Sequence, residues 1–324
     1  MQQEIRFATF NVYNLAPPGQ QLYDNLLPST ADEYEAKLNW TARQIDLLDA
    51  DVIGFQEIFS QAALREVLAR TRKYHDAIHV GFDPDPAADR LTPSVALVSR
   101  LPLAAPGVAH ADFPPGVALP EGSREASRFS RAVIHAAVVA SPDCTIDVVV
   151  VHLKSKRPDY RNGDSGDDPL LFGMACLRSL VRRGTEAVAL RVLLTELARD
   201  NKRAQVVLGD FNDVADSVTT GIVLGAGTPM TGRHFDACQL QKRQDHVRQV
   251  GFSMLCDGHY STIDHILVSE EFNADLPNAI GEVVEVLYLN DHLVLALAEA
   301  SDHGQVLARI RLFDETRGFS DAGV

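Results

Sequence analysis

The sequence predicts an α/β fold in which mixed sheets are covered by helices. Three observations carry this. Short aliphatic, β-branched runs recur along the whole chain. Amphipathic stretches with helical spacing lie between them. Neighbouring runs such as 131–140 and 145–153 read as hairpin partners, which breaks a strict βαβ rhythm and argues against a purely parallel sheet.

Taken in order, IRFATFN (5–11) is the first predicted strand and DVIGFQE (51–57) the second. Between them, EYEAKLNWTARQIDLLDA (33–50) puts Tyr34, Leu38, Ile45 and Leu48 on one helical face. A second helix is expected over 61–71. The next strands are PSVALVS (93–99), RAVIHAAVVA (131–140) and TIDVVVVHL (145–153). The longest helical pattern covers about 170–200, where Gly173 and Gly184 argue against one unbroken helix. AQVVLGD (204–210), IDHILVS (263–269), GEVVEVLYL (281–289) and QVLARIRLF (305–313) complete the strands. Proline- and glycine-rich stretches at 82–89, 113–123 and 157–169 are loops. No internal repeat or linker divides the chain, so one domain over 1–324 is expected.

Composition narrows the function classes. Hydrophobic residues are 46% of the 324, ample for a large core. The net charge of −14 excludes binding to nucleic acid by bulk charge neutralisation alone. A polyanionic substrate then needs a local basic patch or a bound cation. Cys144, Cys176, Cys238 and Cys256 form no CxxC pair, so a zinc ribbon or thioredoxin-like site is not suggested. They are expected to be buried, reduced thiols. No stretch is long and apolar enough to span a membrane, and no apolar signal core opens the chain. The expected location is the cytoplasm, short of a leader already removed. The acidic stretches 83–89 and 164–168 lack EF-hand spacing and read as solvated loops.

The chemistry sits where apolar strands meet polar residues. RFATFN ends at Asn11, VIGFQE at Glu57, VVVVH at His152 and VVLGDFN at Asp210 and Asn212. Asp264 opens DHILVS, and Asp302 and His303 precede the last strand. Such groups are expensive to bury without partners. Singly, each has an ordinary structural role open to it: a strand end, a helix-terminal carboxylate, a core histidine or a turn. Together they suggest one shared polar site. Glu57 and Asp302 are hard oxygen ligands suited to Mg²⁺ or Mn²⁺. Asp210 is short and rigidly placed, able to orient or deprotonate a water. Asn212 can donate to an anionic oxygen without competing for a cation. His152 and His303 can donate to phosphate oxygens. The inventory is that of metal-assisted displacement at phosphorus. Gly209 is expected to keep the backbone slim where substrate approaches. Asp213 is expected to brace the following turn.

The ordered set TFNVYNL, FQEIF, VVHLKSKR, LGDFND, IDHILVS and SDHG resembles the endonuclease/exonuclease/phosphatase superfamily, which includes DNase I, from residue 9 to residue 304. The resemblance implies a DNase I-like four-layered α/β sandwich, two mixed β-sheets face to face with helices on the outer faces. It implies a divalent-metal phosphoesterase. It places Asn11 and Glu57 at the metal, with His152 as the first phosphate-facing histidine. Asp210 and Asn212 match the general base and the substrate-orienting amide. Asp264 matches the aspartate bracing the last histidine, and Asp302 and His303 the closing pair. The pattern departs at Gln305, where a proline is usual, and Asp291-His292 is a decoy pair just upstream.

The substrate is less legible. Residues 151–190 carry a charge of +2, and Lys154, Lys156 and Arg157 follow His152 closely. These three are candidate contacts to a polyanionic backbone, although a solvated basic turn has the same composition. The leading expectation is a nuclease or phosphodiesterase acting on nucleic acid. The alternatives are hydrolysis of a small or lipid phosphate, and a catalytically inactive binding scaffold. The sequence leaves the oligomeric state open.

Overall fold

The computed structural model describes residues 3–83, 90–120, 127–161, 164–225, 232–242 and 251–313. The elements in order are β1 (Glu4–Leu15), α1 (Ala31–Leu48), β2 (Val52–Ile58), α2 (Gln61–Ala69), β3 (Ile78–Gly81), β4 (Ser94–Ser99), β5 (Val108–Asp112), β6 (Arg128–Ser141) and β7 (Cys144–His152). They continue with α3 (Pro169–Asn201), β8 (Gln205–Asp210), α4 (Val218–Leu224), β9 (His234–Asp236), α5 (Ala237–Leu240), β10 (Met254–Cys256), β11 (His259–Ser261), β12 (Asp264–Ser269), β13 (Gly281–Leu289), α6 (Asp291–Leu295) and β14 (Gln305–Leu312).

Two mixed six-stranded sheets result. One has the order β13-β14-β1-β2-β4-β3 and the other β5-β6-β7-β8-β12-β9. Side-chain alternation builds four layers from them. Ile5 and Phe7 of β1 pack between the sheets with Val150, Leu208 and Ile266. Ala8 and Phe10 face the other way, against Leu38, Trp40 and Ile45 of α1. Val207 and Leu267 of the second sheet pack outward on Leu190 and Leu194 of α3. The architecture is an α/β sandwich with helices outside. The sheets approach closely at Gly54, where an added Cβ would lie 2.8 Å from Leu208 Cβ.

Helix ends are set by local chemistry. Thr30 and Glu33 form a reciprocal capping box at the start of α1. Asp168 caps α3, with Pro169 in its first turn. Helix α3 is unbroken over 33 residues, contrary to the expectation from its glycines. Neither Gly173 nor Gly184 has another atom within 4 Å of an ideal Cβ, so each costs only the ordinary helix penalty of about 1 kcal/mol. The cysteines are free, but none is fully buried. Three are half-buried and Cys256, beside the β10–β11 turn, is exposed. Most of the acidic 83–89 stretch lies outside the described residues. Asp83 accepts from the Gln61 N–H at 2.8 Å at the start of α2. Asp164 pairs with Arg178. No helix among the described residues is long and apolar enough to cross a membrane.

Candidate active site

The inward rows of the two sheets run on into polar residues at one end. Val206 and Leu208 face the opposite sheet, so two residues on Asp210 does too. The same period carries Val148 and Val150 to His152. It carries Phe7 to Asn11, and Asp264 lies two residues before Ile266 on the same row. Register then aligns them: His152 sits opposite Asp210 on the parallel neighbour, and Asp264 opposite Asp210 on the antiparallel one. Gly209 is required by this pairing. Its Cβ would collide with Val151 and lie 2.5 Å from the Val151 carbonyl oxygen, so the glycine serves the neighbouring strand and not, as expected, an approaching substrate.

Asn11 and Glu57 do not end their strands, as the sequence suggested. Strand β1 runs on to Leu15 and β2 to Ile58, each with a register shift at the polar residue. The bulge puts Glu57 at φ +61°, and Tyr13 and Asn14 at +54° and +56°. Glu57 accepts from Asn11 Nδ2 at 3.3 Å and from the Asn14 N–H at 3.0 Å. The Tyr13 N–H donates to Asn11 Oδ1 at 3.0 Å.

Asp210 is the hub. Its Oδ1 accepts from the Asn212 N–H at 2.7 Å and its Oδ2 from Asn11 Nδ2 at 3.1 Å. His152 Nε2 lies 3.4 Å and His303 Nε2 3.9 Å from the same oxygen. Burial, then the Asp264 charge, pushes the Asp210 carboxyl up to about 7. Burial, then the positive charge of Arg131, holds His152 well below the usual imidazole range. His303 goes the other way. Burial works against its proton, but Asp264 and Asp210 outweigh it and hold the ring well above its usual value. Asp264 Oδ2 faces His303 Nδ1 at 2.8 Å. Ser301 closes the loop, donating to the Asn11 carbonyl at 2.6 Å and accepting from the His303 N–H at 3.0 Å.

The other sequence candidates are placed as follows. Asn212 Nδ2 spends one of its hydrogens on the Leu153 carbonyl at 2.9 Å, leaving the second. Asp302 is half-exposed, 3.9 Å from His303 Nε2. Its charge and that of Glu57 both act on Tyr13 and on Lys37. Asp213 takes Lys156 Nζ at 2.9 Å, Thr219 Oγ1 at 2.7 Å and Arg183 Nε at 3.4 Å. Lys156 is therefore engaged with the turn after Asn212. Lys154 Nζ lies 3.4 Å from the Arg157 carbonyl, and Arg157 stacks over Tyr23 at 5.9 Å. The decoy His292 bonds the His303 carbonyl at 2.8 Å and packs on Trp40, so it supports the closing pair.

Sequence reasoning missed three contributors. Arg131 acts on both His152 and Lys154. Glu186, fully buried on α3, accepts from the Ser130 and Lys154 N–H groups at 2.9 and 2.7 Å. Lys37 stands beside the Glu57 and Asp302 charges. None sits at a strand end, the pattern that exposed the rest.

The sequence model of the endonuclease/exonuclease/phosphatase family matches residues 8–303. The chain belongs to that family. Solved structures share the fold at low identity. The human Nocturnin catalytic domain matches with a TM-score of 0.60 at 15% identity, covering 97% of this chain and 96% of that one. A mannosyl-6-phosphatase from Bacteroides thetaiotaomicron matches at 0.58 and 14%, covering 94% and 99%. Humanized TDP2 from D. rerio matches at 0.60 and 13%, covering 95% and 98%. No curated protein matches the chain in sequence.

Proposed function

We propose that the chain hydrolyses a phosphodiester bond, with Asp210 as the base that takes a proton from the attacking water. The observation that carries this is the Asp210 carboxyl. It is buried, raised to about 7, and is the point on which Asn11, His152 and His303 converge. A base poised near neutrality is what proton abstraction at ordinary pH needs. Family members are phosphoester hydrolases, which supports the reaction class.

The remaining roles follow from charge. His303, kept protonated by Asp264, donates to a phosphate oxygen that gains charge as the bond breaks. His152, neutral, and the second Asn212 hydrogen orient the same group. Asp210, Asp264 and His303 offer ligand atoms within 4.8 Å of one another, but a protonated imidazole has no lone pair to give a cation. Glu57 suits a cation better. It accepts only neutral N–H donors and enters no ion pair among the described residues. A divalent ion, Mg²⁺ or Mn²⁺, fits there with Asn11 and Asp302, and when bound it supplies neutralisation of phosphate charge.

Nucleic acid is one substrate class, through Lys154 and Arg157. A small phosphoester is the second, favoured by the engagement of Lys156 with Asp213 in a chain of net charge −14. Turnover of plasmid DNA, RNA and a chromogenic phosphodiester, each with and without EDTA, tests the reading. A folded protein inactive on all of them, with metal present, overturns it in favour of a binding scaffold.

A further inference from the structure

We propose that a cleft beside the Glu57 corner binds the organic group of the phosphoester, and that this group is one uncharged, planar ring. This rests on the phosphoester-hydrolase reading. The cleft measures about 280 Å³ and lies between the loop after β1, helix α1 and residues 298–299. Tyr13, Leu22, Leu26, Leu27 and Tyr34 give it apolar and aromatic walls. Leu27 is 89% exposed and offers apolar surface that a ligand ring can cover.

Continuity with the candidate site comes through three lining residues. The Asn14 N–H holds Glu57, and the Tyr13 N–H holds Asn11. Lys37 Nζ lies 5.5 Å from the Tyr13 ring centre and donates to the Ala300 carbonyl at 3.2 Å, two residues before Asp302. A phosphate at the Glu57 corner therefore has its substituent beside the cleft. The size is at the small end of ligand clefts, which run about 300–1,000 Å³, so one ring system fits and a pair of acyl chains does not. Charge narrows the choice further. Lys37 on one wall opposes a cationic group, and Glu33 and Glu299 on the lining oppose an anionic one. A nucleobase and a phenol ring share the remaining chemistry.

The test compares phenylphosphonate, the 5′-phosphonate of thymidine and methylphosphonate by calorimetry with Mg²⁺ present. The phosphonates are not hydrolysed, so binding is read apart from turnover. At least one ring-bearing phosphonate is expected to bind about tenfold tighter than methylphosphonate or better, and which one distinguishes phenol from nucleobase. Ala36→Trp and Ala298→Trp fill the cleft from exposed lining positions and should bring that ratio towards one. The ratio is the readout, so a general loss of binding does not imitate it. Equal binding of all three by the wild type, or a ratio that neither variant changes, refutes the cleft. If methylphosphonate still binds and methyl 4-nitrophenyl phosphate is still cleaved in an EDTA-sensitive way, the hydrolase reading survives that refutation. If no phosphonate binds and nothing is cleaved, both fall.

Discussion

Replacing Asp210 with asparagine keeps the shape of the side chain and removes its charge. Two consequences can be worked from the structure. The first is kinetic. Without the carboxylate only the weakly basic His152 is left at the hub to take a proton, and turnover should fall by about 10²–10⁴-fold, the size of a lost general base. In the wild type kcat/KM should rise with pH and level off above about 7, where Asp210 is ionised. The residual activity of Asp210→Asn should lack that rise.

The second consequence is thermodynamic. The Asp210 carboxyl is raised from 3.8 to about 7, so within that window the fold holds a proton the unfolded chain has released. The folded state then binds more protons, and stability must fall as pH rises through the window. A span of about three pH units sets an upper bound on the order of 4 kcal/mol. The amide cannot accept from every donor that the carboxylate serves, which adds a pH-independent penalty of about 1–3 kcal/mol. The diagnostic quantity is therefore a difference of differences. Urea unfolding of both proteins in EDTA, at about pH 5 and about pH 8, should show the variant gaining on the wild type at the higher pH. A wild-type-minus-variant difference that stays flat across the window, or full turnover by the folded variant, refutes the assignment of Asp210 as a buried base poised near neutrality.

Three further outcomes are expected. Asp264→Asn removes the charge that holds the His303 proton, so activity should be lost on the alkaline side at a lower pH than in the wild type, as a pH–rate profile would show. Glu57→Gln should raise the Mg²⁺ concentration for half-maximal activity by about tenfold or more, and an unchanged metal titration would remove Glu57 from the cation site. Arg157→Glu should weaken cleavage of long nucleic acid and flatten its salt dependence, while leaving a small chromogenic diester nearly untouched. Equal losses on both substrates would count against a backbone-contacting role.

The layered fold was legible because burial imposes a period. All nine aliphatic runs became strands, and alternation within them decided which residues face the opposite sheet. The polar ends of those runs also made His152, Asp210 and Asp264 readable as candidates for one shared site before register was known. The missed strands β3, β5, β9, β10 and β11 all lie at sheet edges, the last two as a separate two-stranded sheet. They are three to five residues long, and β3 and β5 are mostly half-buried, so they carry little of the apolar pattern that marks a central strand. Arg131, Glu186 and Lys37 were hidden for another reason. A single charged residue on a long strand or helix has the composition of a solvated surface, and only tertiary contact separates it from one.

The bulged backbone of the site was hidden for a third reason, and it bears on function. Eight non-glycine residues have positive φ among the described residues. Asp49, Lys202 and Ala296 are left-handed helix caps, and Asp257 sits in the β10–β11 turn. The other four, Tyr13, Asn14, Glu57 and Asn212, all lie at the candidate site. Left-handed backbone is costly for Tyr13 and Glu57 and less so for the two asparagines, and for the first two it persists only where surrounding contacts over-determine it. Those contacts are identifiable. The N–H groups of Tyr13, Asn14 and Asn212 donate to Asn11, Glu57 and Asp210 at 3.0, 3.0 and 2.7 Å. Each bond holds a strained turn and at the same time aims a polar side chain of the site. The strain and the aim are one interaction, so a substitution that relaxes the turn also releases the group it positions. Tyr13 and Glu57 are not residue types that announce a left-handed turn, and Asn14 and Asn212, which tolerate one, are as common in ordinary turns, which is why the sequence showed the candidate side chains but not the backbone that holds them.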